Sequence, residues 1–211
     1  MSLSKFEVWN VVHAERQRLL EDLAAVSGPA WEIPSLCDGW TVHDVLAHLI
    51  DTAETGKAAF IWGMLRTRGD FDRANDNGLR GCKYDDPQDT LAHWRRVLHL
   101  TKTPPAPPAS RLVEAIVHGE DIRRPLGIHG DYPAAGVHDA LAYQLRTSAS
   151  LGGSRERAEG CRLVDSGTGT SWGDGREVAG AAIDLLLAAT GRMIAPGLLT
   201  GPGADRLLRS S

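Results

Sequence analysis

Glu114 and His118 sit four residues apart, and that spacing is where chemistry first becomes legible in this chain. On a helix the two side chains leave consecutive turns roughly 40° apart around the axis. A carboxylate and an imidazole so placed can grip one divalent cation. Another imidazole comes from far upstream: His48, in the run Thr41-Val-His-Asp-Val-Leu-Ala-His-Leu-Ile50. We expect His48, Glu114 and His118 to meet in a helical bundle and hold one metal ion, with a coordination position left open. The plainer alternatives are real. A single histidine on an apolar helix face is more often a satisfied core or rim residue, and Glu-x-x-x-His pairs are common on solvated helices. Val113, Ile116 and Val117 tell against the solvated surface, because they make this helix a packed one. Glu114 then lies near the apolar stripe, where a carboxylate needs a cationic partner.

The remaining candidates are weaker. His13, His43, His93, His99, His129 and His138 have no partner at chelating spacing that also faces a core. Glu120 and Asp121 can accept the second ring proton of a ligating imidazole, although capping and solvating a helix end is their commoner role. Cys37, near a helix N-terminus, is read as structural rather than reactive. The segment Gly167-Thr-Gly-Thr-Ser-Trp-Gly-Asp-Gly175 fits neither phosphate-binding glycine pattern and has no βαβ unit around it, so hairpin turns explain it. No GxSxG elbow is present, which leaves a serine hydrolase of that kind without support.

Helices must position these residues. Lys5 to Val26 carries Phe6, Trp9, Val12, Leu19, Leu20 and Leu23 near helical spacing, with charged residues mostly between them. The second helix starts at a capping pair, Thr41 and Asp44, flanked by Trp40 and Val45 as a hydrophobic staple. Its apolar stripe has His48 on the edge, and the pattern can continue to Leu65. Arg66 to Pro87 is polar and reads as a long loop, either a lid or binding segment or a mobile excursion. Asp89 to Thr101 gives a third helix, and a proline-rich connector leads to a fourth that Ser110 can cap and Pro125 ends. His129 to Pro133 reads as a linker, which divides the chain into domains 1–130 and 131–211. Beyond it we expect a helix over Ala134 to Leu151, two short strands (Arg162–Asp165 and Thr168–Trp172), and a helix from Glu177 to Thr190.

With 211 residues the chain can bury a core without staples, and a net charge of −4 with dispersed Lys and Arg lacks the basic footprint of a nucleic-acid binder. Three scattered cysteines, Cys37, Cys82 and Cys161, form no disulfide framework and no CxxC pattern. With no apolar leader after Met1 and no stretch long enough to span a bilayer, this points to a cytoplasmic protein without a membrane partner.

The run Pro34-Ser-Leu-Cys-Asp-Gly-Trp-Thr-Val-His-Asp-Val-Leu-Ala-His-Leu49 resembles the metal-binding N-terminal domain of the mycothiol-dependent maleylpyruvate isomerase family. Glu114-Ala-Ile-Val-His-Gly-Glu-Asp-Ile-Arg-Arg-Pro-Leu-Gly127 is similar to that family's second signature, and Asp165, Trp172-Gly173, Leu185-Leu-Leu and Gly191-Arg192 resemble its C-terminal domain. The resemblance implies a mainly α fold, a DinB/YfiT-like up-down four-helix bundle followed by a small α/β (α+β) domain. It implies His48, Glu114 and His118 as ligands of a divalent metal, usually zinc, and Arg192 as a catalytic-site residue that binds an anionic substrate or thiol. Arg192 can equally be a helix-terminal arginine complementing the dipole. It further implies mycothiol as thiol cosubstrate and a small electrophile, in a monomer or homodimer. The activity expected is that of a metal-dependent isomerase or S-transferase. A hydrolase using metal-bound water, or a metal- or ligand-binding module without turnover, stands as the alternative.

Overall fold

Short polar residues begin the first two helices of the bundle. A computed structural model of the chain describes residues 2–209. α1 (Lys5–Ala24) starts at Ser4 and α2 (Val42–Glu54) at Thr41, each with a reciprocal capping box closed by Glu7 or Asp44. A cap of this kind contributes about 1 kcal/mol, and at Thr41 it fixes the register that aims His48. α5 (Pro87–Val97) and α6 (Ser110–Arg123) complete a ring in which α1 packs on α5 and α6, and α2 packs on the same two helices. That ring is an up-down four-helix bundle. Its interior holds Leu19, Leu23, Leu46, Ile50, Trp94 and Ile122.

Charge is also buried here. Glu15 and Arg16, read as lying between the apolar positions of α1, are nearly inaccessible, whereas Phe6 is exposed. Arg123 on α6 explains the first of these: it pairs with Glu15 and, at 2.7 Å, with Asp22, fastening α6 to α1.

Several expectations are corrected. The second helix does not run to Leu65; it stops at Thr55, and Gly56 starts a separate α3 (Lys57–Arg66) that buries no residue fully. The expected loop from Arg66 to Pro87 contains α4 (Phe71–Cys82), capped by the Asp70 side chain and packed on α2. Only Leu79 and Cys82 of α4 are buried, so its apolar face is too sparse in a mostly polar stretch to stand out in the sequence. Ser110 does not cap α6. It is already helical, and its hydroxyl instead accepts from Arg111 Nε at 3.3 Å.

The contacts divide the chain into one unit of Ser4–Asp131 and a second that begins at Tyr132. Ser2 and Leu3 go with the second unit, where the Leu3 amide donates to Asp139 at 2.6 Å. There α7 ends at Arg146 rather than Leu151 (Ala134–Arg146), and a three-stranded sheet follows. β1 (Cys161–Asp165) is central, antiparallel to β2 (Ser171–Trp172) and parallel to β3 (Arg176–Gly180). β3 takes the first residues of the expected Glu177–Thr190 helix, leaving α8 (Ala182–Ala189) to pack on β1, β3 and α7. Val178 and Gly180 face inward in β3, and a Cβ on Gly180 would lie 2.5 Å from Leu199 Cδ2. A short α9 (Ala204–Arg209) closes the described chain.

Candidate metal centre

α2 and α6 are neighbours in the bundle, and their packing brings His48 to the Glu114–His118 pair. Glu114 Oε2 lies 3.5 Å from His48 Nε2 and 3.5 Å from His118 Nε2. The two imidazole rings stand edge to face with centroids 4.8 Å apart. His48 is almost wholly buried, and about a quarter of the Glu114 side chain meets solvent. The three donor atoms all lie within 4.8 Å of one another.

Among the described residues nothing satisfies the inner oxygen of this arrangement. At 3.5 Å the carboxylate is too far from either nitrogen for a sound hydrogen bond, and Glu114 Oε2 is a buried oxygen with no hydrogen-bond partner among the described residues. A cation shared by the three atoms removes that penalty. Donors about 2.1 Å from a tetrahedral zinc stand about 3.4 Å apart, close to the two carboxylate–imidazole spacings. The residues present therefore fit a three-ligand divalent metal site with one position left for an exogenous group.

The protonation states suit the same purpose. Burial lowers the His48 pKa, against the pull of Glu114, so the ring is neutral and its lone pair is available. Burial would raise the Glu114 carboxyl, but His48, Arg111 and His118 together outweigh it and hold that group well below its ordinary range. His118 Nδ1 lies 2.9 Å from Asp121 Oδ2, and the Asp121 side chain is fully buried. A proton on Nδ1, donated to that carboxylate, leaves Nε2 as the free donor facing Glu114. Asp121 thus takes the orienting role, while Glu120 pairs with Arg124 at 2.7 Å, the helix-end role. His48 has no such anchor. Its Nδ1 is buried without a partner among the described residues, and the Trp40 ring covers it at 4.9 Å between centroids.

Residues 12–99 match the family described as the mycothiol maleylpyruvate isomerase N-terminal domain. A solved mycothiol-dependent maleylpyruvate isomerase is similar at 17% identity, with a TM-score of 0.67 over 96% of this chain and 94% of that one. A histidine-to-alanine variant of an enzyme so described matches over the same shares at 16% identity and a TM-score of 0.67. This chain has the maleylpyruvate isomerase fold. No curated protein sequence matches it significantly. The family match includes His48 but ends before α6, so the convergence with Glu114 and His118 rests on the geometry of this chain.

Other expected site residues fall elsewhere. Arg192 belongs to the second unit, just past α8, half-buried, with Nη1 donating to the Thr190 carbonyl at 3.0 Å. None of Cys37, Cys82 and Cys161 is disulfide-bonded. Burial first, then Asp51 and Glu54, push the Cys82 thiol up to about 12, so it is unreactive at neutral pH. No helix among the described residues is long and apolar enough to cross a membrane. The sequence reading passed over Arg111, which is buried and reaches Glu114 from one turn earlier. Its signal was an arginine three residues before a candidate ligand on a helix that had to be packed.

Proposed function

We propose that the protein is a metal-dependent enzyme that uses a small thiol, mycothiol or a close analogue, to isomerise or transfer onto a small electrophile of the maleylpyruvate kind. The observation that carries this reading is the buried Glu114 Oε2 set between two imidazole nitrogens and bonded to neither. His48, Glu114 and His118 would hold the divalent metal, and the chemistry it would supply is an open position that favours the deprotonated form of a thiol at neutral pH.

The chain's own residues do the rest. Glu114 would bring the one negative charge among the three ligands, so a centre loaded with a divalent cation would stay cationic and attract a thiolate. Asp121 keeps the His118 proton on Nδ1, away from the ligating nitrogen. Trp40 shields the His48 ring from water. On the Gly191-Arg192 motif, this reading keeps Arg192 as a residue that helps bind an anionic substrate or the thiol. Addition of a thiolate across a cis double bond gives a single bond free to rotate, and elimination returns the thiol with the trans isomer. Transfer stops at the adduct. Cysteines outside any disulfide fit a reducing compartment such as the cytoplasm.

The test is to load purified protein with zinc and supply mycothiol and maleylpyruvate. Turnover that needs both thiol and metal, and disappears on chelation, is expected. Turnover independent of thiol would assign the site to metal-bound water and a hydrolase. Protein that takes up no divalent metal would overturn the reading.

A further inference from the structure

We propose that Arg111 is a positioning residue that dictates how Glu114 presents its carboxylate, reserving Oε2 for the metal by engaging Oε1. The inference rests on the metal-centre reading and goes beyond it to a residue that holds no metal.

The two oxygens of Glu114 have different surroundings. Oε2 faces both imidazoles at 3.5 Å, whereas Oε1 faces Arg111 Nη2 at 3.7 Å, an ion-pair contact longer than a hydrogen bond. Arg111 precedes Glu114 by three residues on α6, so both leave the same helix face. Only 5% of its side chain is exposed, and the rest of the fork is committed. Nε donates to Ser110 Oγ at 3.3 Å, and Nη1 to the Thr52 carbonyl at 3.4 Å. Thr52 lies on α2 one turn past His48. The guanidinium therefore joins the helix carrying Glu114 to the helix carrying His48, close to the donor atoms. Arg16, the nearby buried arginine of α1, is occupied otherwise: its Nη1 donates to the carbonyls of Leu98 and Leu100 at 3.3 and 2.9 Å.

The physical consequence is specific to a planar, three-directional cation. A carboxylate next to a metal can bind through one oxygen or both, and rotation about its last bond selects between them. A fixed positive charge on one oxygen favours binding through the other alone. Lysine supplies the charge but cannot direct donors to Ser110, Thr52 and Glu114 together.

The experiment compares wild-type protein with Arg111→Met and Arg111→Lys in the full chain. Zinc affinity is read by competition with a chromophoric chelator, and coordination by the visible absorption of the cobalt(II)-loaded protein. Arg111→Met is expected to bind zinc about 10–100-fold more weakly, as for other residues that orient a ligand. Its cobalt band should lose intensity as the carboxylate binds through both oxygens. Arg111→Lys should fall between the two. A folded variant of either kind with wild-type affinity and spectrum overturns the inference and leaves the metal centre intact. Loss of fold in both variants overturns it too, since Arg111 would then serve the bundle and not the carboxylate. Wild-type protein that binds no cation removes both readings at once.

Discussion

α2 buries two histidines five residues apart, and their surroundings differ in kind. His43 Nε2 meets Thr90 Oγ1 at 2.8 Å, and the same hydroxyl accepts the Tyr84 amide at 3.1 Å. Thr90 Oγ1 can donate to His43 Nε2 or accept from it while still accepting the Tyr84 amide, so both atoms of that contact have a partner in either tautomer. His48 meets Glu114 at 3.5 Å, a spacing neither side can use as it stands. Burial lowers the pKa of both rings. Burial and depressed basicity thus fail to separate a fold-holding histidine from a candidate ligand. What separates them is whether the protein itself satisfies the ring.

Four outcomes would sharpen or break this contrast. The largest concerns His48→Ala, which should abolish tight zinc binding in chelator competition while the folded circular-dichroism spectrum is retained. Folded protein with undiminished zinc affinity would place the metal elsewhere. His43→Ala should do the reverse, keeping zinc and losing about 2–4 kcal/mol of unfolding free energy in urea titration, since it opens a cavity and strips Thr90 of its imidazole partner. Asp121→Asn should weaken zinc binding by about 10–100-fold without changing stability comparably, because it frees the His118 ring to turn. The smallest effect is in pH. The folded state binds the His43 proton less readily than the unfolded chain, owing to burial and then Lys83, against Glu32, Asp44 and Asp86. This contribution is present above the ordinary histidine pKa of about 6.5 and is lost as pH falls below it. In zinc-saturated protein, His43→Gln should flatten the decline in melting temperature below that pH. An unchanged slope would mean that His43 is not a group that titrates with unfolding.

What the sequence revealed follows what each residue type must do to fold. Thr41 and Asp44 announced α2 because a capping box needs those two side chains at that spacing. Glu114 and His118 were legible as a pair because α6 had to be packed, and His48 because a polar ring sat on an apolar stripe. α4 escaped notice because a helix laid over a bundle needs few apolar residues, and here Leu79 and Cys82 suffice. The boundary between β3 and α8 was hidden because the end of β3, from Val178 to Gly180, is as small and apolar as the start of α8, so the strand runs into helical spacing without a break. Arg111 and Asp121 were ambiguous for another reason. A charged residue on a helix looks the same in sequence whether it faces water or a ligand, and only the approach of α2 decides it.

The donors around Glu114 are divided between two helices that the chain joins only by a long detour. A cation gripping all three would act as a reversible crosslink across the bundle, one the unfolded chain could not reproduce with these donors in place. Its release would lower the melting temperature in proportion to the logarithm of free metal, and the stability of this fold would then report how much zinc its surroundings hold.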